Sequence, residues 1–177
     1  MSALEARRRE DLRRVRALCD ASHGRLAFVS ADADAPTEVR LLARMRVALD
    51  ASYPQRAGDA VELRIAIPAG YPLRDGPRTF LSPRVWHPNL FPDGQVCQGR
   101  KWLVSEYLDL YVRRMLRIVT FQPDGVNLQS VANPAAAGWL RTALARSPTA
   151  FPTDDALDAP PPAARAGGGV GWQDHDR

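Results

Sequence analysis

The sequence predicts an α+β fold with one helix before a small antiparallel sheet and two helices after it. Apolar residues repeat at helical spacing over residues 3–19, alternate with polar residues between residues 44 and 67, and return to helical spacing after residue 105. A chain of 177 residues, 45% of them hydrophobic, is long enough to bury one core. We therefore expect one domain over residues 1–146 and a tail over residues 147–177.

The first predicted helix is amphipathic and strongly basic. Leu4, Leu12, Val15 and Cys19 form its apolar stripe. Its other positions are crowded with arginines, among them Arg7, Arg9, Arg13, Arg14 and Arg16. Judged by residue type alone, these arginines form a solvated face and Cys19 is a small core residue.

Four short strands follow, which we expect at residues 26–30, 44–49, 61–67 and 79–81. Apolar residues alternate with polar or small ones in the second and third of them, which is typical of strands with one solvated face. Proline and glycine mark a hairpin loop over residues 53–59. The strands are therefore predicted to form an antiparallel meander.

Two helices close the predicted domain. One begins after Ser105 as N-cap and carries its apolar stripe to Val119, and the other begins with Asn133 as N-cap and Pro134 in the first position. Residues 147–177 are dominated by Pro, Ala, Gly and Asp. Such a composition indicates a flexible tail, because it buries too little apolar surface to offset the entropy of ordering.

The segment between the last strand and the next helix is the most informative. His87 to Trp102 reads HPNLFPDGQVCQGRKW, and its prolines and glycines constrain the backbone. It contains Cys97, the only cysteine outside the first helix. Most cysteines are buried structural thiols, but a loop bounded by proline and glycine usually lies at the surface. The sequence therefore predicts a nucleophilic cysteine.

Composition excludes several classes of protein. Two cysteines at distant positions give neither a disulfide framework nor a zinc site, and we expect no metal and no cofactor. No stretch approaches the roughly eighteen apolar residues of a membrane span, so we expect a cytoplasmic protein without membrane contact. The net charge of +4 is concentrated in the first helix, which favours an acidic protein partner over nucleic acid.

Arginine almost replaces lysine in this chain. Of the 24 basic residues, only Lys101 is a lysine. Two explanations remain open: a coding bias toward arginine, and an enzyme that acylates lysines and avoids modifying itself.

The segment from His87 resembles the active-site segment of ubiquitin-conjugating enzymes. That family has a His-Pro-Asn tripeptide, here residues 87–89, and a catalytic cysteine ten residues after the histidine, here Cys97. The family's other landmarks also occur in order: Tyr71-Pro72, Pro77, Gly94, Val96, Trp102 and a Pro-Asp turn at 123–124. Gln98 replaces the usual leucine, and the tryptophan comes earlier than in the family. The resemblance extends from about Met45 to Leu144.

The resemblance implies a UBC-like fold and an activity. Such an enzyme accepts a ubiquitin-like modifier protein from an activating enzyme as a thioester on Cys97 and passes it to an amine of a target protein. Asn89 would donate to the developing oxyanion or brace the loop that does so, and His87 would hold the loop by hydrogen bonds. Asp124 and Asn127 would orient the incoming amine, or they are ordinary turn residues.

The resemblance also implies partner surfaces. The basic first helix is where the family docks its activating enzyme. Leu73, Leu103 and Val104 fall where the family exposes apolar residues to ligases and the activating enzyme, although packing beneath the loops is an equal alternative. The Arg-, Ala- and Pro-rich composition is typical of a bacterial, GC-rich genome. Bacterial enzymes resembling this family are encoded beside a modifier and an activating enzyme, and some serve antiphage defence.

Two other functions compete with conjugation. One is a non-catalytic binding module of the same fold, although such modules usually lack the cysteine. The other is a hydrolase that uses Cys97 as nucleophile and His87 as base. The sequence shows no orienting acid for that pair at a recognisable spacing.

Overall fold

In the computed structural model, which describes residues 2–158, a helix precedes a four-stranded antiparallel sheet and two helices follow it. The elements in order are α1 (Ala3–Ala21), β1 (Leu26–Ala31), β2 (Glu38–Ala43), β3 (Val61–Ala66), β4 (Arg78–Ser82), α2 (Leu108–Val119), α3 (Pro134–Arg146) and a 3-10 turn (Pro148–Ala150). The strands lie side by side in sequence order. The predicted α+β arrangement is confirmed. No helix within this part of the chain has the length and apolar character needed to cross a bilayer.

The second strand lies earlier than the sequence predicts. It is formed by residues 38–43, not by residues 44–49, and pairs with β3 through Val39 opposite Ile65 and Leu41 opposite Leu63. Met45 and Val47 are buried as their alternation suggests, but Val47 forms only an isolated bridge with Gly58. The alternation in the sequence therefore predicted correctly that these apolar side chains are buried, but it did not predict which residues pair as a strand.

The main core lies between the inner face of the sheet and helices α1 and α2. It contains residues of the sheet and of both helices: Leu12 and Val15 from α1, Leu41, Leu63 and Ile65 from the sheet, and Val112, Met115 and Leu116 from α2. Cys19 is buried in this core, and burial raises the pKa of its thiol to about 11. Its predicted place as a small core residue is confirmed, and its thiol stays protonated at neutral pH.

A buried carboxylate connects α1 to the start of α2. Asp11 accepts hydrogen bonds from the Leu108 backbone N–H at 2.9 Å, the Tyr71 hydroxyl at 2.7 Å and Arg7 Nε at 2.9 Å. Ser105 was the predicted N-cap, but α2 begins after Tyr107, which makes no side-chain capping bond. Asp11 therefore supplies, from another helix, an acceptor for one of the free N–H groups at the first turn.

Helix α3 begins where the sequence predicts. The Asn133 side chain accepts from the Ala136 N–H at 3.1 Å, and Pro134 is the first helical residue. The backbone N–H groups of Ala132 and Asn133 both donate to the Pro88 carbonyl, at 2.9 and 2.8 Å. The start of α3 is thus tied directly to the segment that carries Cys97.

Residues 147–158, predicted as part of a flexible tail, pack against the domain instead. Phe151 joins an aromatic cluster with Tyr53, Phe121 and Trp139. Arg25 forms ion pairs with Asp154 and Asp155. The prediction of a flexible segment was wrong for these residues, because amino-acid composition does not show which individual side chains find partners in the domain. The rest of the predicted tail, residues 159–177, lies outside the described residues.

Candidate functional site

A short hairpin over residues 89–97 positions the cysteine. The Phe91 N–H donates to the Gln95 carbonyl at 2.9 Å, and Leu90 bridges Val96. Gly94 closes the turn with φ +87°, a backbone conformation that residues other than glycine rarely adopt. A Cβ added there would lie only 3.1 Å from the Leu81 carbonyl oxygen, so glycine is also required for close approach to β4.

The hairpin is hydrogen-bonded to β4, and it brings Cys97 next to Asn89 of the His-Pro-Asn tripeptide. The Val96 N–H donates to the Thr79 carbonyl at 2.9 Å, and the Gly94 carbonyl accepts from the Leu81 N–H at 3.0 Å. At the open end, the Cys97 N–H donates to the Asn89 carbonyl at 2.8 Å. The backbone that carries the thiol is therefore held at its own N–H.

Cys97 is partly exposed and lines an open pocket of about 490 Å³. The other residues that line this pocket are Phe91, Gln95, Val96, Gln98, Gly99, Arg100, Lys101 and Ser130. The Gln98 amide turns inward and donates to the Pro77 carbonyl at 2.5 Å and to the Tyr111 hydroxyl at 3.2 Å. Cys97 is thus partly exposed to solvent at an open surface.

Asn89 is buried and its amide is committed to the loop after α2. Its Nδ2 donates to the carbonyls of Asn127 at 2.7 Å and Ser130 at 2.9 Å, and its Oδ1 accepts from the Asn127 N–H at 2.8 Å. Both amide hydrogens are therefore used. Of the two roles predicted for Asn89, this arrangement favours the loop brace over the oxyanion donor.

His87 is also buried, 1% exposed, and its ring packs against Phe121 with centroids 4.3 Å apart. Its Nδ1 accepts from the Asn89 N–H at 3.0 Å. Burial lowers the pKa of the imidazole to about 3. A neutral, enclosed ring that does not line the Cys97 pocket is poorly suited to act as its general base. The geometry agrees with a loop-holding role and disfavours the hydrolase.

The buried imidazole makes stability depend on pH. Because the folded pKa is about 3 and an unfolded histidine has a pKa of about 6.5, His87 contributes fully above pH 6.5 and its contribution is lost as the pH falls toward 3. We expect this one group to remove about 2 kcal/mol of unfolding free energy between pH 7 and 5. Urea unfolding at several pH values measures it.

A matched pair of variants isolates this contribution. His87→Asn keeps an acceptor for the Asn89 N–H but cannot titrate, so its stability should fall less steeply with pH than that of the wild type. His23 is exposed, with φ +52°, a conformation that asparagine tolerates, and His23→Asn should leave the slope unchanged. Identical slopes for the wild type and His87→Asn would contradict the assignment.

The structure separates the two residues predicted to orient the amine. Asp124 is exposed, does not line the pocket and accepts hydrogen bonds from Arg117 at 2.7 and 3.0 Å. These bonds and the charge of Arg117 lower the pKa of the Asp124 carboxyl. Asp124 therefore acts here as a turn residue in an ion pair.

Asn127 lies beside the Cys97 segment. Its Oδ1 accepts from the N–H groups of Gln129 at 2.9 Å and Ser130 at 3.2 Å. Its Nδ2 would lie 3.5 Å from a Cβ built on Gly99, two residues after the cysteine. Among the hydrogen bonds of residues 2–158, this Nδ2 is used in none. Of the predicted site residues, Asn127 is therefore the one whose side-chain donor remains available beside Gly99, although it lines a neighbouring pocket and not the Cys97 pocket itself.

Arg7, predicted to bind a partner, is a structural residue. Its guanidinium pairs with Asp11 and donates to the carbonyls of Val104 at 3.0 Å and Glu106 at 2.5 Å. Its side chain is only 16% exposed. The helical pattern gave no sign of this, because the acceptors lie about a hundred residues later in the chain.

The other four arginines predicted to bind a partner are more exposed than Arg7. Arg14 lies over the Tyr107 ring at 3.7 Å and pairs with Glu10. Arg9, Arg13 and Arg16 are exposed and line a shallow groove that also contains Asp20 and Asp34. Arg13 also pairs with Glu10, at 2.7 Å. The exposed cationic surface is therefore smaller than predicted, and we call these three residues the α1 arginine groove.

The apolar loop residues form a second exposed surface. Leu73 is 65% exposed, Leu103 50% and Val104 44%, so packing beneath the loops does not describe them. The Trp102 indole fastens their two loops together by donating to the Pro72 carbonyl at 2.8 Å. We call Leu73, Leu103 and Val104 the apolar loop patch.

Glu106 is a site-supporting residue that the sequence did not reveal. Its carboxylate is 7% exposed and pairs with Arg100 at 2.7 Å and Arg114 at 3.0 Å. Arg114 also donates to the Gln98 carbonyl at 3.4 Å. In the sequence, an acidic residue just before a helix looks like ordinary charge at a helix N-terminus.

Comparison with protein-family models finds no matching family, and comparison with curated proteins finds no matching relative. Within residues 2–158, no group of three or more His, Cys, Asp or Glu side chains is placed to hold a metal ion. The function must therefore be inferred from the residues and geometry of the site.

Proposed function

We propose that this chain is a ubiquitin-conjugating-like enzyme with a UBC-like fold. It carries a ubiquitin-like modifier protein as a thioester on Cys97 and transfers it to an amine of a target protein. One observation carries the proposal: Cys97 is an accessible thiol on a fixed hairpin, held through the Asn89 backbone within the His-Pro-Asn motif. A binding module has no need of such a thiol.

The chemistry suits a site without an adjacent base. In charging, the Cys97 thiolate attacks the carbonyl of a thioester on the activating enzyme, and the enzyme's thiolate leaves. In transfer, an amine attacks the new thioester, a C–N bond forms and Cys97 leaves. Both steps pass through an oxyanion, which positioned donors stabilise. We assign this task to Asn127 Nδ2, which lies beside Gly99, two residues after the cysteine, and Asn89 holds the backbone of Asn127.

The two exposed surfaces support docking of an activating enzyme. Arg7 links α1 to the Val104 backbone, so the helix that carries the α1 arginine groove is joined to the apolar loop patch. A charged surface and an apolar surface together suit a partner that is acidic and also has apolar residues to bury. We extend the proposal to a bacterial conjugation operon, including one for antiphage defence, which the neighbouring genes would test.

The direct test is a charging reaction. The chain is mixed with ATP and with the activating enzyme and ubiquitin-like protein encoded beside its gene, and the products are separated with and without a thiol reductant. We expect an adduct that requires ATP and disappears on reduction, and peptide mapping should locate it at Cys97. Failure to form a reducer-sensitive adduct with any such pair would refute the proposed function.

The α1 arginine groove should control charging but not transfer. Charges at an interface mainly accelerate association, so Arg9→Glu together with Arg13→Glu should slow charging about tenfold at low salt, with a smaller effect at high salt. Arg56→Glu is the matched control, because Arg56 is 78% exposed on another surface. Discharge of preformed thioester should be unchanged in both proteins. Equal charging by wild type and the double variant at every salt concentration would contradict this docking site.

A further inference from the structure

The Cys97 pocket contains the only lysine of the sequence. Lys101 is exposed and lines the pocket together with Cys97. The ion pairs within residues 2–158 are all made by arginines, and none involves Lys101. Its neighbour Arg100, by contrast, is paired with Glu106. A single amine is therefore left on the rim of a pocket built around a nucleophile.

The amine is within reach of the thiol. Four residue steps separate Cys97 from Lys101, which spans at most about 14 Å even in a fully extended chain. The chain is not extended here, because it bends at Gly99, where φ is +69°, and at Arg100. Lysine adds a flexible four-carbon stem. The ammonium group can therefore sample the space around the cysteine sulfur.

The two neighbours of Lys101 are anchored by their side chains, whereas no ion pair within residues 2–158 uses the Lys101 side chain. Glu106 holds Arg100 on one side, and Trp102 donates to the Pro72 carbonyl on the other. These contacts keep Lys101 at the pocket rim. An amine held at the pocket rim on a flexible four-carbon stem has a high local concentration at Cys97.

We propose that Lys101 is an internal acceptor for the acyl group that Cys97 carries. This inference rests on the proposed function, because it requires a thioester on Cys97. The neutral Lys101 amine attacks the thioester carbonyl, an amide bond forms at Nζ, and the C–S bond breaks. The amine proton passes to solvent and Cys97 leaves as a thiolate. Cys97 is regenerated, while Lys101 carries the acyl group permanently.

This transfer makes the enzyme self-limiting. An acyl group on Lys101 occupies the rim of the pocket that the next thioester must enter. Because Lys101 is the only lysine, the chain has a single side-chain amine for this reaction. Slow transfer to a target then favours self-modification, whereas rapid transfer avoids it.

A small acyl donor tests the inference without an activating enzyme. The full chain is incubated with the mercaptoethanesulfonate thioester of acetyl-Gly-Gly, which exchanges with an accessible thiol. Hydroxylamine then removes thioesters but not amides, and mass spectrometry locates the remaining acyl group. We expect it on Lys101, at a rate per thioester that does not change with protein concentration. A tethered amine has an effective concentration on the order of millimolar, roughly a hundredfold above a chain at micromolar concentration.

Three variants complete the design. Lys101→Arg should lose the hydroxylamine-resistant product at least about tenfold, scored per thioester formed. Adding Arg56→Lys to that variant moves the only lysine to another exposed surface and should not restore the product. Cys97→Ala should reduce acylation of Lys101 to the level of direct reaction with the donor.

The outcomes separate the two proposals. A thioester on Cys97 without an amide on Lys101 would overturn this inference and leave the proposed function standing. An amide whose rate rises with protein concentration, or one that persists in Cys97→Ala, would also overturn it. No thioester on Cys97 with this donor would overturn both, because the thiol would not be an accessible nucleophile.

Discussion

Cys97→Ala should reduce charging with the modifier to background, the largest effect expected of any substitution in this chain. The thiol is the only nucleophile that the hairpin presents to the open pocket. Cys97→Ser should give at most a slowly formed ester that survives reduction, because a hydroxyl needs a base for activation and His87 is buried. Gels with and without reductant, run on both variants, measure this.

Cys19→Ser is the matched control for loss of a thiol. Cys19 is buried in the main core and burial raises its pKa to about 11, so it should take no part in charging. Its variant should therefore form the same reducer-sensitive adduct as the wild type. An adduct that persists in Cys97→Ala but disappears in Cys19→Ser would reverse the assignment of the nucleophile.

The structural features that could be predicted from the sequence are those that depend on residues close together in the chain. The start of α3 depends on Asn133 and Pro134, which act on the backbone within one turn. The hairpin at Gly94 depends on the local turn residues of the Pro92-Asp93-Gly94 sequence. Such features are fixed by short-range geometry, so their residue types are sufficient evidence.

The contacts that were missed join distant parts of the chain. Asp11 replaces the predicted cap at Ser105 from 97 residues away, and Arg7 reaches the Val104 and Glu106 carbonyls from a similar distance. Nothing in the local pattern distinguishes these residues from an ordinary charged helix face. Their roles become visible only when α1 lies against the start of α2.

The functional site shows the same difference between features set by local sequence and features set by distant contacts. Cys97 and the hairpin that carries it were predicted from motif and turn chemistry. The division of labour between Asn89, Asn127 and Asp124 was not, because it depends on how the loop after α2 meets the hairpin. The spacing of these residues is the same whether each one braces, donates or forms an ion pair.

The second large effect is expected at Asn89. Asn89→Ala removes three hydrogen bonds and leaves the Asn127 N–H without its acceptor. We expect this to lower the free energy of unfolding by roughly 2–4 kcal/mol, since an unsatisfied buried group costs about 1–3 kcal/mol. For a chain of this size the melting temperature should fall by roughly 5–15 °C. Charging and discharge should both slow, by about 10² at discharge, because the loop that positions Asn127 is released.

Asn127→Ser distinguishes the brace from the donor. Serine keeps an oxygen that can accept from the N–H groups of Gln129 and Ser130, and it leaves the backbone bonds to Asn89 in place. It removes the free Nδ2, so discharge should slow by about 10²–10³ at nearly native stability. Melting temperature, charging and single-turnover discharge are measured on the same preparations. If Asn89→Ala melts like the wild type and slows only discharge, Asn89 is the oxyanion donor and the brace assigned to it here is wrong.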